Sequence, residues 1–378
     1  MPKRKVLVIG MLDSIHLARW IKQFADTDFD LILFPSTHFR FVHKRLVDQD
    51  ATNIKIWGLF VRRGFSGYID SLMTLRFLGN FCAKRLRRIY LQLLIAVYRP
   101  DVIHAIEIQH AGYLVSSLSG AANQRILTNW GSDIYFYHHL EDHEVRIRKA
   151  LKWATHYSAE CARDYSLARQ LGFKGIELPK IPNAGGFETF EAGALQMDQR
   201  DQLIVKCYGG KFGLGLMSLE ICTKFLATTS NTKVFLYSVT EDLLEGITAL
   251  TAKFPGRIRY STLSHPLSHE AILVEFMRSR VYLGMSRSDG LSTSFLEAIA
   301  SGTYPIQTNT SCASEIVDLG AVGSIVIPDS NLVFELLLKV YFDDDLLGKA
   351  SKQNFKIARD FLDYSKIQGI ALSFYDLA

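Results

Sequence analysis

Cysteine is scarce in this 378-residue sequence. The five, Cys82, Cys161, Cys207, Cys222 and Cys312, are scattered, and no two have CxxC spacing. That pattern argues against a zinc site and suits a reducing compartment, with the cytoplasm as the expected location. Long apolar runs are also missing. No 18 residues in a row are apolar and uncharged, so no segment is expected to span a membrane. The opening MPKRKVLVIGML has a basic start, but its apolar run ends before Asp13 and lacks a small-residue cleavage site. It reads as a first strand and not as a secretion signal. No internal repeat, RNP motif or zinc finger is present, so a nucleic-acid partner is not expected.

What the sequence does have is apolar content, 48%, over a length that suits two domains of ordinary size. Apolar β-rich runs recur at 5–10, 31–34, 54–59, 101–105, 125–129, 156–159 and 176–181, with helical pattern between them. Strands that alternate with helices predict a parallel, doubly wound α/β sheet, which binds ligands at the carboxyl ends of its strands. The stretch PKIPNAGG at 179–186 is the clearest break, and a polar segment follows to Arg200. A second alternating series then runs through 203–208, 233–238, 258–260, 281–285, 304–307 and 324–327. Charge is uneven. Residues 1–182 hold 26 Lys/Arg against 16 Asp/Glu, and residues 40–100 alone hold 12 against three.

The most informative stretch is VYLGMSRSDGLSTSFLEAIASGTYPIQ, 281–307. It reads as strand, polar turn at 286–293, helix at 294–301, a stop at Gly302 and a new strand. A loop feeding a helix N-terminus offers free N–H groups and a positive dipole end to an anion. Ser286, Ser288, Ser292 and Thr293 add hydroxyls there. Asp289 lies in the loop and Glu297 eight residues later. Eight residues are about two helical turns, so both carboxylates can face one side. A capping acid and a solvated helix acid would give the same pattern.

The motif S-R-S-D-G-L-S-x-S-x-L-E-A-I-A-x-G-x-x-P-I resembles the donor-site motif of retaining glycosyltransferases of family 4. These have the GT-B architecture: two Rossmann-like doubly wound α/β domains facing across a cleft. The resemblance implies that Glu297 binds the ribose of a nucleotide sugar. Asp289, where the family more often has Glu, would hold the donor sugar. Ser288, Gly290, Leu291, Ser292 and Thr293 would line the loop near the diphosphate. It also implies an N-terminal acceptor domain at 1–182, a donor domain at 183–354 and a last helix, about 355–378, that returns to the first domain. The implied reaction moves a sugar from a nucleoside-diphosphate sugar to an acceptor hydroxyl with retention. The setting would be bacterial polysaccharide or glycolipid synthesis, the acceptor a sugar or a lipid-linked one.

Three further stretches carry candidates. MLDSIHLARW follows the first strand, and the resemblance implies that it lines the active-site cleft, with His16 a catalytic candidate and Arg19 on the acceptor side. A histidine satisfied by a backbone group is the plain alternative. TNWGSDIY at 128–135 resembles the family's H-G-x-D segment, with Asp133 matching and Trp130 where the histidine would stand. Trp130 can stack on a sugar ring but cannot move a proton. Asp133 is therefore a candidate for activating the acceptor hydroxyl, or else a helix cap. KCYGGKFGLG at 206–215 is glycine-rich, and Lys211, then Lys206, are the cations available to neutralise a leaving diphosphate.

Such cations with a helix dipole do a metal's work, so no metal or other cofactor is expected. Asp343, Asp344 and Asp345 read as a solvated turn between helices. The stretch 72–96 reads as a helix carrying Arg76, Lys84, Arg85, Arg87 and Arg88 among apolar residues. With Phe60, Arg62, Arg63 and Phe65 before it, it suits contact with an anionic membrane on the cytoplasmic side, or else a core helix with one solvated face. Two other functions share the donor motif: a nucleotide-sugar epimerase, and a non-catalytic subunit that binds a nucleotide sugar.

Overall fold

A computed structural model describes residues 3–37, 42–48, 51–56, 79–118, 122–188 and 191–376. The chain divides into two compact units. One comprises Met1–Gly185 with Gln368–Ala378, the other Gly186–Ile367.

Short runs rich in Val, Ile and Leu build the first unit's sheet. Its strands are β1 (Arg4–Gly10), β2 (Phe29–Pro35), β3 (Ile54–Ile56), β4 (Val102–Ile106), β5 (Gln124–Thr128), β6 (His156–Ser158) and β7 (Ile176–Glu177). All pairings are parallel, in the order β3-β2-β1-β4-β5-β6-β7. Val6 to Ile9 and every residue of β4 are buried, as expected of strands covered on both faces. The strand order reverses between β1 and β4, which opens a crevice beyond their carboxyl ends.

The second unit repeats the plan with six parallel strands. These are β8 (Gln202–Lys206), β9 (Lys233–Val239), β10 (Ile258–Thr262), β11 (Ser279–Gly284), β12 (Tyr304–Thr308) and β13 (Ser324–Val326). Their order is β10-β9-β8-β11-β12-β13, with the reversal between β8 and β11. Leu203, Val205, Leu236, Val281, Leu283 and Ile306 are almost fully buried and form one core layer. Each such side chain contributes about 1.5–3 kcal/mol through burial.

Each strand read from the sequence is present, its ends shifted by a few residues at most where they are described. The basic helix runs Gly79–Tyr98, and 57–78 lie outside the described residues. One expectation needs correction. The segment 355–378 is not one helix. Asp344–Phe361 and Tyr364–Asp376 are separate, and only the part from Gln368 belongs to the first unit. The break has a cause. Phe187 N donates to Leu362 O at 2.7 Å and Phe187 O accepts from Tyr364 N at 3.0 Å. Asp363 Oδ1 then caps the new helix, accepting from Ser365 N and Lys366 N, each at 3.1 Å.

The end of the chain completes the first unit's core. Tyr375 stacks on Phe24 at 4.5 Å between ring centres, and its hydroxyl meets Trp20 Nε1 at 3.2 Å and His104 Nδ1 at 2.8 Å. Among the described residues no helix is long and apolar enough to cross a membrane. Cys161, Cys207, Cys222 and Cys312 are free, buried thiols.

Candidate active site

The second unit's switch point is framed by the loops that follow β8 and β11. They are locked to each other. Arg287 N donates to Phe212 O at 2.7 Å, and Gly213 and Ser286 form an antiparallel bridge. The first loop needs its glycines. A Cβ on Gly213 would lie 2.0 Å from Tyr208 O. A third loop, after β12, braces the second. Ser286 N donates to Thr308 Oγ1 at 3.1 Å, Thr310 Oγ1 to Ser286 O at 2.7 Å and Cys312 N to Gly290 O at 2.9 Å.

This bracing holds the loop at the mouth of the helix Thr293–Ala300, whose N-cap is Ser292. Ser288, Gly290, Leu291 and Ser292 are buried and Thr293 half-buried. Asp289 is half-buried, and its Oδ1 accepts from Gly290 N at 2.9 Å. Lys206 ends β8, with Nζ 5.1 Å from the Tyr208 ring centre. Lys211 is exposed in the next turn.

Glu297 stands on a helix whose residues Ser294 to Ala300 are all buried. A carboxylate there needs a partner. His269, first residue of the helix His269–Arg278, supplies one, with Nε2 2.7 Å from Glu297 Oε1. Sequence reasoning missed His269, Tyr208, Thr308 and Thr310. Burial, with Asp289 close by, pushes the Tyr208 phenol above its ordinary range.

In the first unit the elements after β1, β4 and β5 carry the candidates. Ser14 caps the helix Ile15–Lys22 by accepting from His16 N at 3.2 Å. The His16 ring lies 5.4 Å from the Trp130 ring, so these two are brought together. Arg19 is half-buried on the same helix.

Asp133 is buried, and both its oxygens are engaged: Trp130 N donates to Oδ1 at 2.8 Å and Ile108 N to Oδ2 at 3.0 Å. Burial, then the neighbouring Glu107, raise its pKa to about 8. It does not occupy the N-cap of Ser132–Tyr135, which is Gly131. The helix-cap alternative is corrected accordingly: the carboxyl ties the loops after β4 and β5 together.

Glu107, unforeseen, is the strained residue here, with φ +73° at the end of β4. Its carboxylate accepts from His110 N at 2.7 Å and Ala111 N at 2.6 Å. Gln109 donates to Asp133 O at 2.6 Å. The other acids are structural: Asp343 Oδ1 caps Asp344–Phe361 by accepting from Leu346 N at 2.9 Å, and Asp344 pairs with Arg280.

Two parallel sheets, each with a loop-lined switch point, and a braced loop before a helix N-terminus define a class. The chain has the two-unit α/β fold called GT-B. Over residues 5–160 it matches the family described as glycosyl transferase 4-like. Solved structures share the whole fold. Sucrose-phosphate synthase from Thermosynechococcus elongatus aligns with TM-score 0.69 and 12% identity, over 99% of this chain and 98% of that one. The Anabaena protein HepE, in complex with UDP-glucose, aligns with TM-score 0.71 and 14% identity, over 99% and 100%. Trehalose 6-phosphate synthase from Burkholderia multivorans aligns with TM-score 0.68 and 12% identity, over 100% and 98%. No curated protein sequence matches the chain.

Proposed function

We propose that the protein is a retaining transferase that moves a sugar from a nucleoside-diphosphate sugar to an acceptor hydroxyl, in polysaccharide or glycolipid synthesis. The observation that carries this reading is the β8/β11 switch point, where a braced loop feeds the helix Thr293–Ala300 between Asp289 and Glu297. A diphosphate suits the loop Ser288–Thr293 and the helix mouth. Glu297 would accept from the ribose, and Asp289 from the donor sugar. The C1–O bond to the diphosphate breaks as the acceptor oxygen bonds to C1 on the same face. The acceptor proton leaves with the diphosphate. Lys211, Lys206 and the helix dipole stabilise the departing charge, so the scheme needs no metal or other cofactor. HepE's complex with UDP-glucose makes a uridine donor the first to test.

On the acceptor side, Trp130 would offer a face to a sugar ring, with the His16 ring 5.4 Å away and Arg19 on the same helix as His16. Asp133 belongs to the support of that loop, since backbone N–H groups take both its oxygens. The acceptor reading extends to a membrane partner. On the helix Gly79–Tyr98, Leu91 and Leu94 are buried, whereas Ile89, Tyr90, Leu93 and Val97 are exposed on the outer face. Arg85, Arg88 and Arg99 are exposed too. Apolar side chains flanked by cations suit an anionic lipid surface and a lipid-linked acceptor. Of the basic stretch, Arg62, Arg63 and Arg76 lie outside the described residues.

The test incubates the protein with UDP-, GDP- and ADP-sugars, with and without sugar and lipid-linked acceptors. The expected result is acceptor-dependent release of the diphosphate and a product whose NMR coupling shows the donor's anomeric configuration. An inverted product, or conversion of the donor with no acceptor present, overturns the reading.

A further inference from the structure

We infer that His269 is the positioning residue for donor ribose recognition: it holds the Glu297 carboxylate in the one orientation from which the ribose hydroxyls can be read. The inference rests on the donor-site reading above and adds a residue to it.

Burial states the problem. The Glu297 side chain is 6% exposed, and it projects from a helix whose other residues are packed into the unit. A carboxylate in that position has rotamer freedom to lose and a desolvation cost to offset. His269 Nε2 at 2.7 Å from Oε1 serves both needs, because a hydrogen bond to one oxygen restrains the group's rotation and offsets part of its desolvation. The imidazole is itself fixed. It begins the helix His269–Arg278, where Ser268 Oγ accepts from Ala271 N at 3.2 Å. Ile272 and Phe276 of that helix are buried in the same core cluster as Phe295, Leu296 and Ala298. Two helices packed through that cluster therefore set the distance from imidazole to carboxylate.

The pair is not merely a surface ion pair. The His269 side chain is 23% exposed and the Glu297 side chain 6%, so both keep some accessible surface, the imidazole more of it. A ligand that enters from the solvent side meets the imidazole and the carboxylate together. Ribose is the part of a nucleoside diphosphate that suits this arrangement, since its two adjacent hydroxyls are donors and a carboxylate restrained in rotation accepts from such a pair. A mobile carboxylate would pay an ordering cost on binding that a fixed one does not.

The experiment reads ribose discrimination. Calorimetric titration measures the affinity for UDP, GDP and ADP and for their 2′,3′-dideoxy counterparts. The proteins are wild type, His269→Phe and His269→Gln, the last keeping an N–H donor. Wild type is expected to prefer the ribo form. In His269→Phe that preference should shrink about tenfold, through weaker binding of the ribo form alone, with the dideoxy affinity unchanged. His269→Gln should regain much of the preference. The double variant His269→Phe/Glu297→Gln should bind no more weakly than Glu297→Gln, because the two act as one unit.

Undiminished preference in His269→Phe overturns the inference and leaves the donor site standing. Equal losses for ribo and dideoxy forms, or loss of fold in both His269 variants, overturn it as well, since both results assign His269 to the architecture. Wild-type protein that binds none of the nucleotides overturns the donor-site reading and this inference with it.

Discussion

Asp133→Asn tests the chemistry buried after β5. In the wild type two backbone donors, Trp130 N at 2.8 Å and Ile108 N at 3.0 Å, each meet one oxygen of the side chain. With a pKa of about 8 the folded group carries a proton at neutral pH, yet both oxygens keep lone pairs to accept with. An Asn amide has one accepting oxygen, and its nitrogen faces an N–H. One buried donor left without an acceptor costs about 1–3 kcal/mol.

The deficit depends on pH in a fixed direction. The unfolded carboxyl ionises near 3.8, whereas the folded one holds its proton up to about pH 8. Across that window the Asp133 contribution to wild-type stability falls as pH rises, by at most about 1.4 kcal/mol for each pH unit. Asn has no such dependence. The variant's deficit should thus be largest at the acid end and shrink as pH rises. Urea unfolding of both proteins from about pH 5 to about pH 8, followed by tryptophan fluorescence, measures it. A deficit that stays constant across the range refutes the buried, protonated carboxyl. A turnover loss on the order of 10²-fold with unchanged stability would return Asp133 to the acceptor hydroxyl.

Three other outcomes are expected. Gly213→Ala puts a Cβ where Tyr208 O lies 2.0 Å away, so the loop must move, and kcat/KM should fall by on the order of 10²-fold with the fold intact by circular dichroism. His104 is fully buried, and burial lowers its pKa to about 3. The unfolded chain takes up a proton near 6.5 that the folded chain refuses, so this residue makes stability fall as pH drops below that value, and its ring resonances should show no titration down to about pH 5. Leu93→Asp with Val97→Asp should abolish co-sedimentation with anionic liposomes, and high salt should weaken it in the wild type, because each nearby cation contributes roughly 1 kcal/mol. Binding indifferent to lipid charge contradicts the membrane face.

The strands were legible because parallel strands covered on both faces must be continuously apolar, and runs such as KVLVIG and VYLG have no other use. The loop and helix after β11 were legible for a related reason: Gly302 and the serines around Asp289 mark a helix at both ends. Pairings that depend on tertiary distance were not legible. His269 and Glu297 are 28 residues apart on different helices, and only the packing of Phe276 against Phe295 and its neighbours makes them meet. The two bonds to Asp133 come from loops after different strands, so an Asp after Gly-Ser looked like a cap. Glu107 left no sign, since its strain is a backbone angle. The break at Leu362 was hidden because Phe187, far away in sequence, takes the helix's next hydrogen bonds.

The most direct test of the donor site is a calorimetric titration of UDP, GDP and ADP into wild-type and Glu297→Ala protein. At least one nucleotide should bind the wild type, and the variant should lose about 1.5–3 kcal/mol of that affinity, roughly 10- to 150-fold, because the ribose loses a charged acceptor. Asp289→Ala should bind the same nucleotide nearly as well as wild type and lose turnover instead. Equal nucleotide affinity in wild type and Glu297→Ala would contradict the assignment of the β8/β11 switch point as the donor site.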